Sequence, residues 1–195
     1  MAEFISPEEM NPDAYRGIEK IFEYTNDDGR LVDTNCGQAA AATFLTFYGK
    51  VPPLAERAKE VMAAIEHDHP PDNFGGRFGT SRRQVIHICR DQGLRVTEIV
   101  GEKALREQLA RQRPVIVMLG ISGGRFLKFF DVPNGHWVVA YGFDPDYVHL
   151  TNWGRMSWAE FHAGWYALVP RLISMRGKGL VLSPQTAERA GGGPP

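Results

Sequence analysis

The chain is short of cysteine. Its 195 residues hold two, Cys36 and Cys89. That is too few for a disulfide-stapled scaffold and fits a reducing compartment better than an oxidising one. Long apolar runs are missing as well. Pro114–Leu119 and Trp137–Tyr141 are among the longest, and a spanning helix needs roughly 20 apolar residues, so no membrane segment is expected. Nor is there an excess of charge of one sign: Lys+Arg number 22 and Asp+Glu 23, a formal net charge of −1. Bulk charge therefore gives no support to a nucleic-acid or membrane-surface role. Met1 to Pro12 is acidic and has no apolar core, so it does not read as a signal peptide. The expectation is a cytoplasmic protein, or one exported without a cleaved signal. His67-Asp68-His69 lacks the second cluster a metal site needs and lies in a Pro-rich stretch, so it reads as a solvated loop; no metal and no cofactor is expected. Gly75-Gly76-Arg77-Phe78-Gly79 and residues 120–124 lack the Lys-Ser/Thr of a phosphate loop and fit the rim of a cleft better. The sequence shows no internal repeat.

What is present is an ordinary globular composition, 43% hydrophobic and 23% charged, in a chain long enough for one domain with a real core. Residues 1–15 read as an N-terminal arm. Residues 184–195, with Gly191-Gly192-Gly193-Pro194-Pro195, read as a disordered tail with nothing to bury. The domain proper is expected at 16–183.

Within it the first half reads as helical. Gly37–Tyr48 is apolar nearly all round, with four consecutive alanines at Ala39–Ala42, which marks a buried helix. Gly49 and Pro52-Pro53 stop it. Leu54–Glu66 predicts an amphipathic helix and 67–79 a loop. Thr80 or Ser81 caps a third helix, with Val85, Ile86, Ile88 and Cys89 on one side, ending at Gly93. Leu94–Val100 suits a strand and Glu102–Arg111 an exposed helix. The second half is strand-rich: Val115–Leu119, Trp137–Tyr141, Tyr147–Thr151 and Ala167–Ser174 are β-branched or apolar runs. Turn signals at residues 123–124, 133–135, 144–146 and 177–179 separate most of them. Ser157–Trp165 interrupts them as a short helix. Helices first and an antiparallel sheet afterwards is an α+β pattern.

Three residues stand out. Cys36, in Asp33-Thr34-Asn35-Cys36-Gly37-Gln38, sits where polar turn residues give way to the buried helix. Backbone N–H groups and the positive end of the helix dipole favour a thiolate there. An isolated cysteine is more often buried and inert, and Cys89, among apolar helix neighbours, reads that way. His136 follows a Gly turn at the head of an apolar strand, the placement of a rigid base near a surface; a strand-end histidine without a task is about as common. Asn152 lies at the end of the next strand, where a hairpin brings it toward His136 and an amide can fix the imidazole tautomer. A simple turn asparagine is the bland alternative. Order, strand context and turn placement agree on one arrangement, and that agreement outweighs each residue alone. Trp153 beside Asn152 is placed to shield that bond. His87, His149 and His162 have no partner pattern.

The set resembles the papain-like cysteine proteases: cysteine on the first buried helix, then His136 and, sixteen residues on, Asn152. It is most similar to the double-glycine leader peptidases of bacteriocin processing, in their stand-alone form. Their helix start is matched by Cys36-Gly37-Gln38-Ala39, their Gly-His-aromatic-Val-Val strand by Gly135–Val139, and their Ser-x-x-Glu-Phe helix by Ser157–Phe161 with Trp165. The resemblance covers about residues 30–183 and implies a papain-like fold, with the nucleophile helix packed on the sheet. It also implies a Cys36–His136–Asn152 triad acting on a peptide or protein. Those relatives carry a Gln six residues before the cysteine as an oxyanion donor; here that position is Arg30, and no Gln precedes Cys36. Asn35, Asn26, Gln38 or the backbone is left to take the role. Gly135, Trp137 and Trp153, which flank the base and its orienting residue, are the cleft candidates. Peptide hydrolysis is the first expectation, in a processing enzyme or a bacterial effector or toxin. An acyltransferase or transamidase on the same triad, and a non-catalytic peptide-binding module, stay open beside it. The oligomeric state is not legible.

Overall fold

A computed structural model of the chain describes residues 16–18, 21, 35–53, 57–72, 79–121, 134–167 and 175–184. The expected arm, almost all of the expected tail, and most of the two glycine-rich stretches lie outside these residues. The elements run β1 (Arg16–Gly17), α1 (Cys36–Phe47), α2 (Ala58–Asp68), α3 (Arg82–Asp91), β2 (Leu94–Val100), α4 (Gly101–Ala110) and β3 (Val115–Ile121). Then follow β4 (Asn134–Phe143), β5 (Tyr147–Leu150), β6 (Gly154–Ser157), α5 (Trp158–Trp165) and β7 (Lys178–Pro184). Among the described residues the strands form one antiparallel sheet in the order β2-β7-β3-β4-β5-β6, with β1 added to β4. The fold is α+β, as the sequence predicts.

The central strands explain the apolar runs. The pleat sends alternate side chains to opposite faces, and here both faces are covered. Ile116, Met118, Trp137 and Val139 enter one core layer with Phe44, Leu45, Val85 and Ile88 of α1 and α3. Val115, Val117, Leu119, Val138 and Ala140 enter a second layer with Leu105 and Leu109 of α4 and Phe161 and Trp165 of α5. A strand buried on both sides shows no polar alternation.

Helix α1 lies against β4. Its alanines let the two backbones approach, and Ala41, Ala42 and Phe44 have no exposed surface. Burying a residue such as Phe44 contributes on the order of 1.5–3 kcal/mol, so α1 is fixed by packing more than by its ends. Gly49, at φ +67, turns the chain away after it.

Three expectations change, and a fourth lies outside the described residues. Helix α4 is amphipathic instead of exposed: Leu105 and Leu109, four residues apart, are fully buried. Helix α2 runs on to Asp68, past the expected end at Glu66. A strand over 167–174 falls outside the described residues except for Ala167. The last strand of the sheet is β7, so the turn at 177–179 narrows to Gly177 at φ +62, and Gly179 sits inside β7. Strand β6 is not legible in the sequence, because a four-residue edge strand with mostly exposed or half-exposed side chains has no apolar alternation to reveal it.

Candidate active site

Cys36 is the first residue of α1 and is 6% exposed. Asn35 is the N-cap, yet it makes no side-chain cap hydrogen bond, and the first turn holds no acidic residue. The helix dipole puts its positive end at Cys36 and favours a thiolate there, while the Glu66 carboxylate, held against the N-cap residue from α2, opposes that field. The Asn35 amide turns the other way, and its Nδ2 donates to Glu66 Oε1 near the end of α2.

Gly37 and Gln38 tie the same turn to two other segments. Gln38 Nε2 donates to the His69 carbonyl at 2.9 Å, just past α2. Gln38 Oε1 accepts from Thr80 Oγ1 at 2.5 Å. Thr80 is 1% exposed, and a Cβ on Gly37 would lie 2.5 Å from Thr80 Cβ. The glycine after Cys36 therefore admits Thr80. The Thr80 carbonyl in turn accepts from Trp137 Nε1 at 2.8 Å. A continuous path of contacts runs from the residue after Cys36, through Thr80, to the residue after His136.

His136 is the third residue of β4 and pairs with Leu119, while Trp137 pairs with Met118. Met118 belongs to the layer under α1 and Leu119 to the opposite layer. The pleat thus turns Trp137 toward α1 and His136 to the other side of the strand. The imidazole is half-buried and stacked on Trp153, with ring centroids 5.5 Å apart and planes 23° from parallel. Burial holds its pKa below the ordinary histidine value, because the charged form loses more hydration than the neutral one.

Asn152 lies in the turn between β5 and β6 with φ +63, a left-handed conformation that asparagine tolerates better than most residues. Thr151 pins this turn to β4: its N–H donates to the Val139 carbonyl at 2.9 Å, and its Oγ1 accepts from the Val139 N–H at 3.1 Å. Because β5 runs antiparallel to β4, the next residues, Asn152 and Trp153, advance toward the His136 end.

The structure therefore brings Trp153 onto His136, sets Asn152 in the same turn, and joins the neighbours of Cys36 and His136 through Thr80. Two of the side chains offered as oxyanion donors, those of Asn35 and Gln38, are both buried and each has its amide engaged by α2 or the residue after it; Asn26 lies outside the described residues. Of the cleft candidates, Trp153 is 38% exposed and Gly135 is half-buried, pairing with Gly120. Trp137, at 3% exposure and with its indole N–H on the Thr80 carbonyl, lies in the core beneath α1. Thr80 and Glu66 are the contributors that the sequence reading missed. Ser81, not Thr80, caps α3, accepting from the Gln84 N–H, which releases Thr80 for the contact with α1. Cys89 is 1% exposed, and burial pushes its thiol up to about 12. His149 pairs with Asp144 at 2.9 Å and His162 with Glu102 at 2.8 Å, both away from this region.

No protein-family profile and no curated protein matches the sequence. Solved structures do match by fold. The peptidase domain of Streptococcus ComA, a bi-functional ABC transporter involved in a quorum-sensing pathway, is similar over 80% of this chain and 96% of its own. Its TM-score is 0.56, at 19% identity. A structure from Bacillus anthracis assigned as a C39-like peptidase is similar over 89% of this chain and 100% of its own, with TM-score 0.58 and 12% identity. The chain has the papain-like fold of these peptidase domains.

Proposed function

We propose that the chain is a cysteine peptidase-like hydrolase that cleaves an amide bond of a peptide or protein. In this reading Cys36 Sγ attacks the carbonyl carbon while His136 takes the thiol proton. The oxyanion meets backbone N–H groups at the start of α1, since the nearby amides of Asn35 and Gln38 serve other partners. The C–N bond then breaks as His136 passes its proton to the leaving amine. Water, deprotonated by His136, attacks the thioester, and the C–S bond breaks to release the acid and regenerate the thiol. Asn152 accepts the other imidazole N–H and fixes the tautomer. In a transamidase the same thioester would pass its acyl group to an amine instead of water.

The observation that carries this reading is the position of Cys36 as the first residue of a buried helix packed on the strand that bears His136. The fold shared with peptidase domains agrees with it.

The test is site-resolved alkylation. The folded protein is treated with limiting iodoacetamide at about pH 6, where an unperturbed thiol of pKa near 8.5 is almost fully protonated, and both cysteines are followed by mass spectrometry. Fast reaction at Cys36, none at Cys89, and at least tenfold slowing in His136→Ala are expected. Cleavage of a peptide library that disappears in Cys36→Ala identifies the substrate. A Cys36 no faster than a free thiol and indifferent to His136 would overturn the assignment.

A further inference from the structure

We propose that Thr80 is a positioning residue, whose hydroxyl couples the nucleophile helix to the strand of the base; the inference rests on the Cys36–His136 reading above. Thr80 lies on neither α1 nor β4, yet it touches both. On one side its side chain fills the space left by Gly37, and its Oγ1 donates to Gln38 Oε1, fixing the first turn of α1. On the other side its carbonyl holds the indole N–H of Trp137, fixing the residue next to His136. The chain extends further, since Gln38 Nε2 donates to the His69 carbonyl, and the ring of His69 stands 3.4 Å from Asp91 at the end of α3.

Such a chain has a chemical reason to be all polar. Cys36 and His136 sit on separate elements, and a catalytic pair tolerates little misplacement; a shift of about 1 Å can cost on the order of a hundredfold in rate. Apolar packing alone allows two surfaces to slide, whereas buried hydrogen bonds in series have one register. Thr80, Gln38 and Trp137 are each 3% exposed or less, so their bonds do not exchange readily with water. Losing the Thr80 hydroxyl leaves the Gln38 carbonyl oxygen buried without that donor, and α1 gains a reason to shift against β4.

The decisive comparison is between two substitutions that divide Thr80 into its parts. Thr80→Val keeps the shape against Gly37 and the backbone bond to Trp137 but removes the hydroxyl. Thr80→Ser keeps the hydroxyl but removes the methyl. Both are compared with wild type and His136→Ala by the rate of Cys36 alkylation at about pH 6, on protein with unchanged circular dichroism. Expected is a slowing of at least tenfold for Thr80→Val, a rate within about twofold of wild type for Thr80→Ser, and equal rates for all variants once unfolded in urea. Should Thr80→Val fail to fold, Trp137→Phe breaks the chain from the strand side and is expected to slow Cys36 to a similar degree. If Thr80→Val (or Trp137→Phe in its place) reacts like wild type while His136→Ala is slow, the positioning role is overturned and the triad stands. If Val and Ser are equally slow, packing and not the hydrogen bond is responsible, and the proposal also fails. If His136→Ala is itself without effect, the triad reading falls and takes this inference with it.

Discussion

The imidazole of His136 lies against the indole of Trp153, ring centroids 5.5 Å apart and planes 23° from parallel. The indole is 38% exposed, so it stands between the histidine and solvent instead of being buried with it. Removing it in Trp153→Ala rehydrates the imidazole, and the His136 pKa rises toward its ordinary value. The stacking itself is worth about 0.5–1.5 kcal/mol, which sets the expected loss in urea unfolding. The pKa is read by NMR titration of the His136 ring protons. An unchanged pKa would show that other groups keep the ring dry.

The sign of the stability effect at His136 follows from burial. Its folded pKa lies below an unperturbed imidazole near 6.5. Above that value both folded and unfolded chains carry a neutral ring, and the group has no influence. As pH falls below 6.5 the unfolded chain takes the proton first, and the fold loses stability. His136→Gln, which cannot titrate, is therefore expected to lose less stability than wild type between pH 7.5 and 5, measured as the shift in urea midpoint. The other histidines are common to both proteins and cancel in the comparison. Equal shifts would mean that His136 is hydrated in the folded state.

How much of this was legible depended on which physical signal each feature carries. Helix α1 was plain because burial on all sides leaves an unbroken apolar run. The helix after Ser157 was expected from its likeness to the Ser-x-x-Glu-Phe helix, and the structure shows the physical reason for that pattern, a capping box with both of its hydrogen bonds. The two-layer core was visible only as apolar strands, since β-branched runs do not say which face meets which helix. The role of Thr80 was hidden for a different reason. Its partners lie 42 and 57 residues away, and no local pattern marks a buried threonine whose neighbour takes the cap. Trp137 shows the same gap: an aromatic beside a candidate base fits a cleft wall and a core anchor equally well until the register with Met118 is known.

Gly37 offers a test in which two effects oppose each other. Alanine is the better helix former by about 0.5–1 kcal/mol. Its Cβ, however, would meet Thr80 Cβ at 2.5 Å, and Thr80 is held by its bond to Gln38 and cannot swing away. Overpacking of this kind costs about 1–3 kcal/mol, so Gly37→Ala is expected to destabilise by about 1–2 kcal/mol in urea unfolding. A stabilised variant would mean that the 79–81 segment yields easily.

Cys89 supplies an internal reporter. It is buried in the same layer as Cys36 and its thiol is pushed up to about 12, with desolvation as the cause. In the native protein it is protonated and inaccessible, so it reacts only through opening of the core. Its labelling rate in dilute urea is expected to track the global unfolding equilibrium, while Cys36 labels without that dependence. If both cysteines followed the same urea dependence, Cys36 would be sealed in the core and closed to any substrate.

Asn152 holds two properties that substitution can separate. Its backbone is left-handed, at φ +63, a conformation that costs an ordinary residue roughly 1–2 kcal/mol and glycine almost nothing. Its side chain is the part assigned to orient His136. Asn152→Gly removes the amide while relaxing the backbone, so the fold is expected to be at least as stable as wild type in urea. Asn152→Ala keeps the backbone cost and adds to it, and is expected to lose about 1 kcal/mol. If the amide fixes the imidazole tautomer, both variants slow Cys36 alkylation by at least tenfold despite their opposite effects on stability, and Asn152→Asp, which still accepts from the ring N–H, restores most of the rate. A glycine variant that is stable and reacts as fast as wild type would reduce Asn152 to a turn residue. His136 would then owe its orientation to Trp153 and to the strand alone.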